Sequence, residues 1–123
     1  MKPLVSTASD AFREAVYEVT AMIPEGSVAT YAQVATYVVS PRYARGVGAA
    51  LKHLPPGRHA EVPWHRVINA SGRISAKGET FRPVRQERLL RREGVAFDRS
   101  GRVNLMLFQW SGPGPDWVPP LRP

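Results

Sequence analysis

The stretch Thr30-Tyr31-Ala32-Gln33-Val34-Ala35-Thr36-Tyr37-Val38-Val39-Ser40-Pro41-Arg42-Tyr43-Ala44-Arg45-Gly46-Val47-Gly48-Ala49-Ala50-Leu51-Lys52-His53-Leu54 sets the fold. Thr30 and Gln33 stand at capping-box spacing, which opens a helix running to about Val39. Ser40-Pro41 breaks that helix and starts another, with Ser40 suited to the N-cap and Pro41 to the first helical position. Val47, Ala50, Leu51 and Leu54 fall on one side of this second helix, and Pro55-Pro56-Gly57 stops it. Two short helices across a tight break make a helix-turn-helix over about residues 30–54. The second helix is rich in small residues: Ala44, Gly46, Gly48, Ala49 and Ala50. Two glycines cost such a helix roughly 1–2 kcal/mol against alanine. Close packing on a neighbouring helix accounts for them, and so does close approach of the backbone to a ligand such as a phosphate chain.

On the N-terminal side, residues 7–23 read as an amphipathic helix, with Phe12, Ala15, Val16, Val19, Met22 and Ile23 at helical spacing. Thr7 and Asp10 have the spacing of an N-terminal cap, and Pro24-Glu25-Gly26 ends the helix. On the other side, residues 62–69 are β-prone, Ser71-Gly72 signals a turn, and residues 73–75 are placed to pair back. Residues 74–80 read as a polar loop. A further helix is predicted over residues 83–93, entered by Pro83 and closed by Gly94, with Arg85, Arg88, Arg91 and Arg92 on its exposed face. Val95–Phe97 and Val103–Leu107 are predicted to form a hairpin around Asp98-Arg99-Ser100-Gly101. The chain divides into one domain over residues 1–110 and a Pro/Gly-rich tail over residues 111–123, expected to be irregular and docked through Trp117.

A length of 123 residues suits one domain, and 43% apolar residues supply a core. No run approaches the roughly 18 apolar residues of a membrane span, and Met1-Lys2-Pro3-Leu4-Val5 lacks a signal peptide's apolar stretch. No membrane association is expected, and the expected location is cytoplasmic, on the nucleoid if the source is bacterial. The chain has no cysteine, which excludes disulfides, thiolate metal sites and any cysteine nucleophile. His53, His59 and His65 show no metal-ligand spacing, so no metal or other cofactor is expected. The net charge of +7 is uneven. Residues 1–41 carry 2 basic and 4 acidic side chains, residues 42–102 carry 14 and 5, and residues 103–123 one of each. A basic block within one small domain points to a polyanion partner, or to solubility alone.

The segment Val62-Pro63-Trp64-His65-Arg66-Val67-Ile68 is the most informative chemically. Taken alone, Trp64 reads as a core or semi-core residue, His65 as a hydrogen-bonded, half-buried histidine and Arg66 as a surface charge. No serine or threonine has a nucleophile's context, and there is no glycine-rich phosphate loop. In order along the chain, however, stand Ile23-Pro24-x-Gly26-x-Val28-x-Thr30-Tyr31, Arg45-x-Val47-Gly48-x-Ala50, Pro63-Trp64-His65-Arg66-Val67 and Leu89-Leu90-x-x-Glu93-Gly94. Together they resemble the DNA-binding domain of the O6-alkylguanine-DNA alkyltransferases over about residues 8–97. The active enzymes of that family read Pro-Cys-His-Arg-Val where this chain has Trp64. That substitution resembles the alkyltransferase-like proteins.

The resemblance implies a mostly helical α+β fold, winged-helix-like, with a central helix-turn-helix and short strands. It also implies a partner, double-stranded DNA containing O6-alkylguanine, reached through the minor groove, with the damaged base flipped into a pocket. Arg45 matches the arginine finger that fills the vacated stack, and Tyr31 the tyrosine beside the extruded nucleotide. Trp64, Leu51, Val67 and Lys77 match the lesion pocket with Tyr31, and backbone carbonyls near Trp64 and Val67 match those that read the guanine amine. Thr30, Ala44, Gly46, Gly48 and Arg66 fall at DNA-facing places. His65 and Glu93 match the pair that activates the cysteine in the enzymes. Alkyl transfer from O6 needs a soft nucleophile, and without a thiol these two are left as a structural network. The family's Asn-Pro after the recognition helix is here Leu54-Pro55. No catalytic residue is therefore expected. The resemblance further implies handover to nucleotide excision repair proteins and a monomeric state. The competing readings are a helix-turn-helix transcription regulator and an enzyme, such as a glycosylase, working with Glu93 and His65.

Overall fold

The computed structural model describes residues 6–75 and 82–123. The first helix, α1, is Asp10–Ala21. Its N-cap is Ser9 rather than Thr7: the Ser9 hydroxyl accepts from the Phe12 amide at 3.1 Å and donates to the Ser6 carbonyl at 2.7 Å. Phe12, Ala15, Val16 and Val19 form its buried face. A short strand β1, Ala29–Thr30, leads directly into α2, Tyr31–Val38, whose first turn is capped by the Thr30 hydroxyl accepting from the Gln33 amide at 3.0 Å.

The break at Ser40 differs from a simple helix start. Ser40 is extended, its hydroxyl makes no cap, and Pro41–Tyr43 forms a 3-10 turn before α3, Ala44–Lys52. Packed α2 and α3 are the helix-turn-helix, and α1 lies across both. Gly46 faces α1: a Cβ there would meet Thr7 Cγ2 at 2.8 Å and the Phe12 ring at 3.0 Å. Close packing thus accounts for this glycine. Gly46→Ala is expected to destabilise by about 1 kcal/mol, since displacing the fully buried Phe12 outweighs the gain in helix propensity. Chemical denaturation of the two proteins measures this directly.

After α3, the β-prone segment yields only β2, Val67–Ile68, because Trp64–Arg66 is wound into a 3-10 turn. β2 pairs parallel with β1, Ala29 opposite Val67 and Thr30 opposite Ile68, so the helix-turn-helix is the crossover between them. Residues 73–75 do not extend this pairing. The Asn69 side chain accepts from the Ser71 and Arg73 amides and closes a tight turn, while Arg73 pairs with Arg102. Gly72, at φ +84°, passes so close to the Val103 carbonyl that a Cβ would lie 2.5 Å from it.

The fourth helix, α4, is Pro83–Arg92. Phe97 and Val103 pair across the turn at Asp98–Gly101, but no strand continues to Leu107. Asn104 caps α5, Leu105–Phe108, through its Oδ1 and the Met106 amide at 3.0 Å. Four consecutive apolar residues lack the alternation a half-buried strand needs, and the cap decides the outcome. The chain then crosses Val28, with the Val28 amide donating to Phe108 and Trp110 donating back. The irregular tail returns to α2, where Trp117 Nε1 donates to the Tyr37 carbonyl at 2.8 Å and Leu121 is buried.

Among the described residues there are two apolar clusters. The larger unites α1, α2 and α3 with Val62, Val67 and Trp110. The smaller joins Val28, Ile68, Leu90, Val95 and Val103 under α4 and the 97–103 turn. The Trp64–Arg66 turn lies between the helix-turn-helix and α4.

Candidate functional site

The turn Trp64–Arg66 is held from beneath by charge. Glu93, at the C-terminus of α4, accepts from Arg66 Nε at 2.9 Å and Nη2 at 2.9 Å, and from the Gly26 amide at 3.2 Å. Its other close partner is His65 Nε2 at 2.7 Å. Arg66 Nη1 donates to the Ile23 carbonyl at 2.8 Å. All three side chains are largely removed from solvent. Arg66 is thus a correction to the sequence reading: its fork is directed inward, tying β2 to α4 and to the end of α1, and not outward to DNA.

Burial opposes the charge on Glu93, yet hydrogen bonds from Arg66, His65 and Gly26 outweigh it and hold the carboxyl at about 2. For His65 burial dominates and pushes the imidazole below its usual value, with Arg66 and Arg85 adding to that and Glu93 opposing it. An ionised carboxylate only accepts, so neutral His65 carries its proton on Nε2 and leaves Nδ1 as an acceptor. Both groups bind protons less readily folded than unfolded, so both contributions to stability are present at neutral pH. The His65 contribution is expected to be lost as pH falls below 6.5, and the Glu93 contribution as it falls from 4.5 towards 2. Urea midpoints taken from neutral to acid pH check this, and Glu93→Gln is expected to flatten the lower part of the curve.

Gln86 is a support that sequence reasoning missed. It is buried on α4, and its Nε2 donates to the carbonyls of His65 at 3.1 Å and Val67 at 2.8 Å. Two carbonyls require the amide nitrogen on that side and fix the side chain's orientation. Gln86, Leu90 and Glu93 share one helix face, so a polar residue in the inward stripe of α4 was the available signal.

On this frame Trp64 is half-buried, its ring centroid 6.2 Å from that of His59 and 6.1 Å from that of His65. Leu51 and Val67 are buried in the same core against which Trp64 and Tyr31 pack. Tyr31 opens α2 and is half-buried. Thr30 is buried, with its hydroxyl engaged as the cap. Leu54, at the asparagine's place, is a core residue. Lys77 and most of the 74–79 loop lie outside the described residues.

The exposed face of α3 carries Arg45, Ala49 and Lys52, with Arg42 just before it. Arg45 has no hydrogen-bonding or ionic partner among the described residues. Ala44 and Gly46 are half-buried and Gly48 is buried, and Gly46 faces α1 rather than this surface. The structure thus separates two groups of the sequence-predicted residues. Trp64, His65, Arg66, Val67 and Glu93 meet at the turn, while Ala44 and Arg45 stand at the start of α3.

A helix-turn-helix with an exposed arginine on its second helix, beside a largely desolvated His–Glu–Arg network, defines a class. Residues 11–95 match the family described as 6-O-methylguanine DNA methyltransferase, DNA binding domain, and the chain belongs to that family. With Trp64 and no cysteine it falls among the alkyltransferase-like members. It is 44% identical over 102 residues to the DNA base-flipping protein of Escherichia coli (strain K12), covering 83% of this chain and 76% of that one. It is 43% identical over 105 residues to alkyltransferase-like protein 1 of Schizosaccharomyces pombe, covering 82% and 95%. Its fold matches the crystal structure of S. pombe Atl1 in complex with damaged DNA containing O6-carboxymethylguanine. That match has a TM-score of 0.72 and 43% identity, over 84% of this chain and 97% of the other.

Proposed function

We propose that this protein is a non-catalytic sensor of O6-alkylguanine in duplex DNA. It enters by the minor groove, turns the damaged base out of the stack and marks the site for nucleotide excision repair, acting as a cytoplasmic monomer without a cofactor. The observation that carries the reading is the Trp64 turn. The His65–Glu93–Arg66 support is complete, yet the side chain it presents is an indole, which cannot accept an alkyl group as a thiolate does. The relatives named for base flipping and the complex of Atl1 with damaged DNA support the same reading.

The energetics are consistent with a sensor. Flipping costs a few kcal/mol of stacking and pairing, and less for a damaged base. Alkylation at O6 removes the guanine N1 proton and weakens the pair with cytosine, so the lesion is extruded more readily than guanine. Arg45 replaces part of the lost stacking with a planar cation able to hydrogen-bond the orphaned base. The net positive charge makes binding salt-dependent.

A panel of duplexes with one O6-methylguanine in different flanking sequences tests the proposal. Affinities are expected to agree within about threefold, because discrimination comes from the lesion and not from base-edge contacts along an operator. A preference for one flanking sequence that persists without the lesion would overturn it in favour of a transcription regulator.

A further inference from the structure

The smaller apolar cluster is unfinished on one side. A groove of about 530 Å³ opens between the 97–103 turn and α5, floored by Phe97, Val103, Leu105 and Phe108. Met106 and Leu107 form its lip and are 97% and 75% exposed. They are not on a loose end: α5 is capped by Asn104 at its start, and its C-terminal end is tied to Val28, whose amide donates to the Phe108 carbonyl and whose carbonyl accepts from the Trp110 amide. Two large exposed apolar side chains on a hydrogen-bonded helical turn beside an apolar groove mark a contact surface, because isolated exposed residues would not be accompanied by a concave floor.

The rim says what the partner carries. Arg102 lines the groove, Arg99 stands on the adjoining turn, Arg73 is tied to the Ser100 carbonyl, and Arg91 lies over the Phe97 ring at 4.9 Å. Against them stand Glu87, paired with Arg91 at 2.9 Å, and Asp98. The Asp98 carboxylate already accepts from the Ser100 amide and hydroxyl and the Arg102 amide. The unanswered charge is positive. A second copy would bring its own basic block to this rim. DNA would set phosphates against the Met106 and Leu107 side chains, which gain nothing from them.

We propose that this groove docks a protein segment that places apolar anchors on Met106, Leu107 and Phe97 and carboxylates against Arg99 and Arg102. Neither Arg45 nor any residue of the Trp64 turn lines the groove, so the proposal expects it to be engaged while DNA is held. The proposal stands independently of what lesion is read.

The test uses the full chain and a fluorescein-labelled synthetic amphipathic peptide with leucine and phenylalanine on one helical face and glutamate on the other. Anisotropy is expected to show salt-sensitive binding, with amide shifts concentrated at residues 96–108. Met106→Ser with Leu107→Ser is expected to weaken it by about tenfold or more while melting unchanged. Replacing the peptide's glutamates with glutamine weakens binding to the wild type. Arg99→Glu with Arg102→Glu shifts preference to a lysine-bearing peptide. Absence of binding, binding unaffected by the lip variant, or displacement of the peptide by a damaged duplex would each overturn the proposal. So would a dimer in sedimentation that the lip variant dissociates. Lesion affinity, measured separately on the uncharged lip variant Met106→Ser with Leu107→Ser, is expected to be unchanged, so failure of the sensor reading is distinguishable from failure here.

Discussion

Arg45→Ala is expected to weaken binding to a duplex carrying O6-methylguanine by about ten- to a hundredfold. The magnitude follows from losing one or two charge-assisted contacts worth about 1.5–3 kcal/mol, at roughly 1.4 kcal/mol per decade of affinity. The side chain is exposed and has no partner among the described residues, so the folded protein loses nothing and its melting temperature is expected to stay the same. The deficit is therefore a binding deficit. Arg45→Lys separates the two components of that role. Lysine keeps the charge that attracts phosphate but not the planar fork that stacks and pairs. It is expected to retain affinity for undamaged DNA and lose most of the preference for the lesion. Equal loss on both duplexes by Arg45→Ala and full recovery with lysine would reduce Arg45 to a phosphate contact. Titrations of both duplexes at one salt concentration decide it.

Glu93→Ala is expected to have the largest effect on stability, about 3 kcal/mol. Removing the carboxylate takes the counter-ion from the Arg66 guanidinium, which keeps only the Ile23 carbonyl, and leaves the His65 Nε2–H without its acceptor in a largely desolvated place; orphaning a buried charge costs about 3–5 kcal/mol. Partial exposure puts the expectation at the lower end of that range. Against a typical total of about 5–15 kcal/mol the loss is severe, and the melting temperature is expected to fall by about 10 °C or more. Glu93→Gln keeps the volume and one acceptor, and is expected to cost about half as much. Arg66→Met tests the origin of the effect: with both charges gone, the double variant of Glu93→Gln and Arg66→Met is expected to be more stable than additivity predicts. The same network sets the position of Trp64, so Glu93→Ala is also expected to reduce the preference for damaged over intact duplex.

The features legible in the sequence are those encoded over a few residues. Thr30 capping the Gln33 amide and the bounds of α4 between Pro83 and Gly94 are local rules that the structure follows, while the break at Pro41 falls where expected but opens a 3-10 turn ahead of α3. The motif order also points to His65 and Glu93, which meet although separated by 28 residues. What the sequence leaves open depends on which neighbour arrives from elsewhere. Arg66 reads as a surface cation until Glu93 and the Ile23 carbonyl are seen around it. Gly46 admits two explanations until Phe12 is found against it. Ser9 outcompetes Thr7 as a cap because its hydroxyl reaches the Phe12 amide, a choice of register that spacing alone does not make. Leu105–Phe108 turns helical because Asn104 caps it, where apolar content suggests a strand. For Gln86 the sequence offers only a polar residue in an inward helical stripe; its role lies in the two carbonyls it holds.

One measurement bears most directly on the central claim. Two duplexes identical but for a single O6-methylguanine in place of guanine are titrated with the protein at fixed salt, and the bound lesion duplex is then incubated and its methyl group assayed. A non-catalytic sensor is expected to bind the damaged duplex clearly more tightly and to leave the methyl group intact after stoichiometric incubation. Equal affinity for the two duplexes, or loss of the methyl group from guanine, would contradict it.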